Sequence, residues 1–220
     1  MKPLNIPLYK NFNNDSCFVE VVAMILRYGG DSINRREIFK KARVFHPERK
    51  KEIFGCTVPS IMMAIKDKGY RMIAWHDLNK KEIKKAGKET ELFFKIWKKQ
   101  IKQAEKLGIL ESKTRGKFSL IKKYLKNKVP VIVGIGSKIF YGGNPLWEKS
   151  TYAQEEHVDE ISHVIIITGY ENGKYIYNDS SPFLRKTEGK NMKVSAKRLR
   201  KAWKNASYVK NAIFVLEKID

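Results

Sequence analysis

The chain has 220 residues and a formal charge of +22, from 45 Lys and Arg against 23 Asp and Glu. This length allows one domain with a real core but not two complete ones. Two cysteines are too few for a disulfide scaffold, and no Cys/His grouping has the spacing of a zinc site, so we expect a reducing compartment, no metal and no cofactor. The sequence shows neither a signal peptide nor an apolar run long enough for a bilayer, so we expect a cytoplasmic chain without a membrane partner.

The excess of Lys and Arg is consistent with an anionic partner such as nucleic acid. Most of it is lysine spread over predicted helix faces, and no helix-turn-helix, RNA-binding or zinc-finger pattern accompanies it. Lysine enrichment is also a signature of proteins from hot environments. Nucleic acid therefore stays an alternative partner that is not favoured, and the sequence leaves the oligomeric state open.

The first predicted element in chain order is a helix that starts at Cys17. Asp15 or Ser16 offers an N-cap, and apolar residues recur at helical spacing. The pair Gly29 and Gly30 then supplies a left-handed stop. A thiol in the first turn faces unpaired N–H groups and the positive end of the helix dipole, which favour the thiolate. Cys17 is therefore a candidate nucleophile.

Helix patterns dominate the next hundred residues. The longest runs from about Lys80 to Leu107, with Gly87 as a point of breakage, and its aromatic stripe predicts a core face while its lysines predict a solvated one. We read residues 43–56 as loop. The other elements predicted here are helices over about 33–42, 58–68 and 118–126 and a short strand over 70–75.

The second half of the chain contains the clearest strand signals. The β-branched run from Val131 to Gly136 predicts a buried strand. Residues 162–170 and 174–179, joined by a Glu-Asn-Gly turn, predict a β-hairpin. A last helix over about 195–203 and a last strand over about 212–216 complete the pattern.

A long connection over residues 137–160 precedes the hairpin and has no clear periodicity. It carries five acidic and two basic residues on a strongly basic chain. Loops of this length inside a compact domain are often functional. We therefore expect Trp147, Tyr152 and Asp159 to border a substrate cleft.

The hairpin brings an imidazole and a carboxylate to the same end of the sheet, because His163 opens one strand and Asp179 closes the other. A cysteine nucleophile needs this pair: the histidine takes the thiol proton and the carboxylate orients the ring. Direct opposition of the two requires a hairpin midpoint at Glu171. A strict two-residue turn at Asn172 and Gly173 does not give it, so we predict an odd-length loop or a bulge.

Each of these residues has a structural explanation when taken alone. Cys17 fits a small buried thiol, His163 a core histidine and Asp179 an ordinary turn residue. It is the chain order, an early cysteine at a helix start and a late histidine and aspartate on paired strands, that favours a joint site. Other histidines are available as partners, namely His46, His76 and His157.

At these residues the sequence resembles the bacteriocin-processing cysteine peptidases, the double-glycine leader peptidases and their stand-alone relatives in the papain-like superfamily. The resemblance rests on the segment from Cys17 to Gly30 and on the hairpin. It implies that Cys17 is the nucleophile, His163 the general base and acid, and Asp179 the orienting group.

The resemblance also implies a fold. We expect a single papain-like peptidase domain over residues 1–220, of the α+β class, with an N-terminal helical half packed on a C-terminal twisted antiparallel β-sheet. The Lys-rich middle matches the family only as helices. We therefore treat about 79–128 as a central helical insertion.

Three positions near the cysteine depart from the family pattern. Relatives usually have glycine where this chain has Phe18, aspartate where it has Ser16, and an oxyanion-stabilising glutamine where it has Asn11. An asparagine amide can donate the same hydrogen bond from a shorter arm, so Asn11 is the candidate oxyanion-hole residue. Loss of one such donor raises the barrier by roughly 3 kcal/mol, a factor of about a hundred in rate.

The leading hypothesis is a thiol-dependent hydrolase that cleaves a peptide or amide bond through a thioester. An acyl- or peptidyl-transferase that uses the same thioester is one alternative. A catalytically degenerate basic domain that binds nucleic acid or an acidic protein is the other. The sequence does not name the substrate or the scissile bond.

Overall fold

A computed structural model describes residues 1–12, 16–45, 52–85, 87–144, 148, 162–181, 189–206 and 209–219. The helices are α1 (Cys17–Tyr28), α2 (Arg35–Ala42), α3 (Val58–Ala64), α4 (Lys80–Lys85), α5 (Lys88–Lys106), α6 (Ser119–Lys126), α7 (Ser137–Tyr141) and α8 (Ala196–Lys204). The strands are β1 (Arg43–Phe45), β2 (Glu52–Cys56), β3 (Tyr70–Leu78), β4 (Leu110–Lys113), β5 (Val131–Gly136), β6 (Ser162–Glu171), β7 (Lys174–Asn178), β8 (Met192–Ser195) and β9 (Val209–Lys218).

Seven of the strands form one sheet in the order β4-β3-β9-β5-β6-β7-β8. Every pairing in it is antiparallel except β3 with β4, which is parallel. Alternate residues of each strand face opposite sides, as the two-residue period of a strand requires. The expected α+β class with an antiparallel sheet is confirmed.

Helices cover both faces of the sheet and create two cores. On one face α1, α2 and α3 pack against side chains such as Ile132, Ile166 and Phe214. On the other face α6, α7 and α8 pack against the intervening residues, such as Val133 and Ile165. The sheet is therefore buried on both sides, which explains the continuous β-branched runs of β5 and β6.

Helix α1 is the most deeply buried helix, since the residues from Phe18 to Leu26 are all buried. The ring of Phe18 packs edge-on against Phe214 of β9, with 5.1 Å between the ring centroids. Only Gly30 adopts the left-handed conformation at the helix end, with φ +90°, whereas Gly29 has φ −77°. Ser16 is the N-cap residue but its side chain makes no capping hydrogen bond.

The structure differs from the sequence prediction in three connecting segments. Part of the expected loop 43–56 forms the antiparallel pair β1 and β2. The expected helix 80–107 breaks at Gly87 as predicted, and Gly87 has φ +92° between α4 and α5. Strand β4, however, lies within the expected helical insertion. The first residues of the expected long connection form the short helix α7.

The β6–β7 hairpin has the predicted bulge but not the predicted midpoint. Glu171 pairs with Lys174 across a two-residue turn, and the register shifts by one residue between Ile167 and Gly169. Ile166 then pairs with Asn178, the last residue of β7. Continuation of this register brings the next residue, Asp179, beside Ile165 and not beside His163, so the expected direct opposition is wrong.

The N-terminal segment contacts β6 and is also bonded to Asn178, the residue that precedes Asp179. Leu4 N–H donates to the Thr168 carbonyl at 2.9 Å. The fully buried side chain of Asn178 donates to the Ile6 carbonyl at 3.0 Å and accepts from the Asn191 N–H at 2.9 Å. Asn178 therefore joins three parts of the chain that are distant in sequence.

Replacement of Asn178 tests how much its contacts with Ile6 and Asn191 stabilise the fold. Asn178→Ala removes two buried hydrogen bonds and leaves their partners unpaired, so we expect it to lower the free energy of unfolding by about 2–3 kcal/mol. Urea denaturation followed by circular dichroism measures the change. Lys174→Ala, at the exposed turn of the same hairpin, is the matched control and should change stability little; an equal effect of the two variants would contradict the assignment.

Candidate active site

His163 and Asp179 form a buried pair at one end of the sheet. The ring atom Nε2 of His163 lies 2.9 Å from Oδ1 of Asp179, and the two side chains are 7% and 0% exposed. They meet diagonally, because Asp179 lies beside Ile165, and Ile165 and His163 share one face of β6. Diagonal neighbours on a sheet face are about 7–8 Å apart, a distance that a long side chain spans.

The Asp179 carboxylate accepts two further hydrogen bonds that fix its orientation. The Ser181 N–H donates to Oδ1 at 2.8 Å, and the Tyr141 hydroxyl donates to Oδ2 at 2.5 Å. Sequence analysis did not identify Tyr141 as a site residue, since this contact spans 38 positions and no local pattern marks it. Burial, together with the neighbouring Asp179 charge, raises the pKa of Tyr141 well above its ordinary value, so the hydroxyl stays a donor.

Cys17 is the second side chain that interacts with the His163 ring. Its side chain is half-buried in the first turn of α1 and within hydrogen-bonding reach of the imidazole. Since Nε2 is occupied by Asp179, Nδ1 is the ring nitrogen left for the thiol. The structure thus brings together a thiol, an imidazole and a carboxylate in that order.

The environment of His163 favours its charged form. Burial opposes the charge, but the Asp179 carboxylate, by Coulomb attraction and hydrogen bonding, and the Cys17 thiol outweigh it and raise the pKa of His163 to about 10. A charged ring next to a thiol stabilises the thiolate. The ordinary histidine pKa is 6.5, so the imidazolium persists well above neutral pH.

The titration of His163 can be followed directly by NMR of the ring nitrogens. We expect a midpoint near pH 10, and in Asp179→Asn a fall towards or below 6.5, because burial then outweighs the remaining attraction. His76 is an internal control: burial lowers its pKa, and Asp179→Asn should leave it unchanged. Because the folded-state pKa of His163 exceeds the unfolded value, its proton stabilises the fold fully below about pH 6.5, and this contribution is lost as pH rises through about 10. A wild-type midpoint near 6.5 would contradict this account.

Asn11 lies on the N-terminal segment next to the Asp179 loop. Its backbone N–H donates to the carbonyl of Ser180 at 2.9 Å. Its side-chain atoms Nδ2 and Oδ1 are both buried, and neither has a hydrogen-bond partner among the described residues. An unsatisfied buried amide is costly, and among the described residues this amide has a donor that is not paired.

The other predicted site residues have different outcomes. The cleft residues Trp147, Tyr152 and Asp159 lie outside the described residues, as do the alternative histidines His46 and His157. His76 is described, but it packs against Trp97 and its Nε2 lies 3.0 Å from the Ser112 hydroxyl. Among the described residues, no group of three or more His, Cys, Asp or Glu side chains could hold a metal ion, and no helix is both long and apolar enough to cross a membrane.

Gly189 holds the backbone of Asp179 in place. The Asp179 N–H donates to the Gly189 carbonyl at 2.7 Å, and Gly189 has φ +105°, a conformation that favours glycine. A Cβ atom at this position would overlap the Asp179 carbonyl oxygen. The close approach therefore requires glycine.

Gly189→Ala should displace Asp179 and weaken its hold on His163. We expect a loss of stability of about 1–3 kcal/mol from backbone strain, measured by urea denaturation, and slower alkylation of Cys17 by iodoacetamide. Gly108→Ala is the matched control, since Gly108 has φ +70° and open space around a Cβ. Alkylation that slows equally in both variants would show that strain alone, and not the Asp179 contact, is responsible.

A cysteine at the start of a buried helix, faced by a histidine on one strand and an acidic residue just after the next, defines the papain-like class of cysteine peptidase folds. The chain belongs to the Peptidase_C39 like family, whose model matches residues 3–211. No curated protein matches the chain.

Two solved structures share the fold. A putative C39-like peptidase from Bacillus anthracis superposes with a TM-score of 0.54 at 13% identity, with 100% of both chains covered. The peptidase domain of Streptococcus ComA, a bi-functional ABC transporter involved in a quorum sensing pathway, superposes with a TM-score of 0.50 at 13% identity, with 96% of this chain and 98% of that chain covered. The expected papain-like peptidase fold is confirmed.

Proposed function

We propose that this protein is a cysteine hydrolase that cleaves a peptide or amide bond through a thioester intermediate. In this proposal Cys17 is the nucleophile, His163 the general base and acid, and Asp179 the group that orients the ring. The observation that carries it is the contact of the Cys17 thiol with a His163 ring whose far nitrogen is held by Asp179 at 2.9 Å. Family membership supports the peptidase type and a peptide as substrate.

In the first step the Cys17 thiolate attacks the carbonyl carbon of the substrate. A sulfur–carbon bond forms, and the π electrons of the carbonyl move to its oxygen. The backbone N–H of Cys17, which has no acceptor within its helix, and the side-chain amide of Asn11 are the donors available to this oxyanion. Such donors act most strongly on charge that develops in the transition state.

Collapse of the tetrahedral intermediate breaks the carbon–nitrogen bond. The His163 imidazolium gives its proton to the leaving amine nitrogen, and the acyl group stays on Cys17 as a thioester. His163 then takes a proton from water, the resulting hydroxide attacks the thioester, and the carboxylic acid leaves with regeneration of the thiolate. An amine in place of water at this stage would give acyl transfer instead, and the product distinguishes the two.

The two cysteines of the chain provide an internal comparison. Cys56 is half-buried and donates to the Phe39 carbonyl at 3.6 Å, whereas Cys17 contacts a charged imidazole.

A nucleophilic Cys17 has to remain reduced, so we also propose that the protein works in a reducing compartment such as the cytoplasm.

Iodoacetamide labelling followed by peptide mass spectrometry tests the proposal. We expect Cys17 to react at least about tenfold faster than Cys56 at pH 7, because a cationic ring beside a cysteine favours nucleophilic attack by its sulfur. Cys17→Ala should abolish hydrolysis or acyl transfer, whereas Cys56→Ala should retain it. Equal labelling of the two cysteines, together with salt-sensitive polynucleotide binding, would contradict the hydrolase proposal and support a basic binding domain.

A further inference from the structure

Helix α1 carries a buried charge one turn after Cys17. Glu20 is 0% exposed in a helix whose neighbouring residues are apolar. Burial of a carboxylate is costly unless a partner compensates it. Residues three apart lie on the same face of a helix, so Glu20 and Cys17 face the same surroundings.

Arg35 of α2 is the partner that compensates Glu20. Its Nη1 atom lies 2.6 Å from Oε2 of Glu20 and donates to the Lys10 carbonyl at 3.4 Å. Its guanidinium also lies over the ring of Tyr9, 4.6 Å from the ring centroid. One side chain thus connects the buried carboxylate to two consecutive residues of the N-terminal segment.

The same carboxylate also acts on the residue that follows Asn11. Burial raises the pKa of Glu20, and Arg35 and then the backbone N–H of Phe12 oppose that rise. Tyr9 and Lys10, which directly precede Asn11, are therefore held by Arg35 and its buried partner Glu20. The hydrogen bond from Asn11 N–H to the Ser180 carbonyl fixes the segment against the Asp179 loop as well.

We propose that Glu20 and Arg35 are positioning residues that hold the N-terminal segment against α1, so that the unpartnered amide of Asn11 serves as the oxyanion donor beside Cys17. This inference rests on the proposed function. The pair touches neither thiol nor substrate in this scheme and acts through Asn11. The Glu20–Arg35 pair would fix the backbone next to Asn11, whose side chain is one methylene shorter than that of glutamine.

Two small reagents separate oxyanion binding from thiol reactivity. With acetylglycinal, the Cys17 sulfur bonds to the aldehyde carbon, the carbonyl π bond breaks, and the oxygen becomes an alkoxide that is held by the oxyanion donors or takes the His163 proton. With iodoacetamide, the sulfur displaces iodide from a methylene carbon and no oxyanion forms. A defect in the oxyanion hole therefore weakens the first reaction and leaves the second unchanged.

We expect Asn11→Ala to weaken acetylglycinal binding by about tenfold or more, with an iodoacetamide rate within about twofold of wild type. Arg35→Ala should show the same pattern. Arg36→Ala, which removes an exposed arginine from the same helix, is the matched control and should bind as wild type does. Arg35→Lys keeps the charge beside Glu20 but loses the planar fork, so its affinity should lie between those of wild type and Arg35→Ala.

The double variant Asn11→Ala/Arg35→Ala decides whether Arg35 acts through Asn11. We expect the double variant to bind acetylglycinal no more weakly than Asn11→Ala alone, because coupled residues are not additive. Additive losses would overturn the inference. So would an Arg35→Ala variant that slows iodoacetamide as much as it weakens the aldehyde.

Hydrogen exchange at the Asn11 backbone amide supplies a readout that needs no reactivity. We expect faster exchange in Arg35→Ala than in Arg36→Ala, because the segment is then released from α1. Equal exchange in the two variants would overturn the inference even if the hydrolase proposal holds. Conversely, a wild-type Cys17 that reacts with neither reagent faster than Cys56 would refute the hydrolase proposal, while the exchange result would still decide whether Arg35 holds the segment.

Discussion

The hydrogen-bonded pair of His163 and Asp179 is the interaction on which the rest of the site depends. A fully buried carboxylate is tolerated only when its oxygens are satisfied, and here an imidazole, a backbone N–H and the Tyr141 hydroxyl share the two oxygens. The Asp179 carboxylate also raises the pKa of the imidazole to about 10 against the effect of burial. Asn178 and Gly189 support this pair indirectly. Asn178, the residue before Asp179, is bonded to the Ile6 carbonyl, and the Gly189 carbonyl accepts the backbone N–H of Asp179.

The sequence allowed prediction of the features whose signals are local. Helix α1 follows from the spacing of its apolar residues and its glycine stop, and the hairpin follows from a β-branched run and a tyrosine-rich run around an Asn-Gly turn. The hairpin midpoint was wrong because the bulge lies at Thr168 and gains only one residue, so Asp179 meets His163 diagonally. Strand β4 was missed because four residues of mixed polarity form a strand only through their parallel partner β3. Tyr141 and the Glu20–Arg35 pair were missed for a similar reason: each is defined by a contact across the chain.

The departures from the family pattern have different physical meanings in the structure. Phe18, where relatives usually have glycine, directs its ring into the core against Phe214, and its side chain anchors α1 to the sheet. Asn11, where they have glutamine, keeps an amide donor that is buried and unsatisfied among the described residues. The first departure thus bears on packing and the second on chemistry. Buried Glu20 adds an ion pair with Arg35 to the buried part of α1, and Arg35 in turn donates to the Lys10 carbonyl in the segment that carries Asn11.

The place of β9 in the sheet also sets the order in which a nascent chain can complete its fold. Strand β9 is the last described strand in chain order, yet it lies inside the sheet and pairs with both β3 and β5. Until β9 is synthesised, the half-sheet that carries His163 has no hydrogen-bonded connection to the half built on β3, and α1 lacks the ring that anchors it. Contacts between residues so distant in sequence form late in folding. A growing chain on the ribosome would therefore expose Cys17 long before β9 joins the two parts of the sheet that surround it.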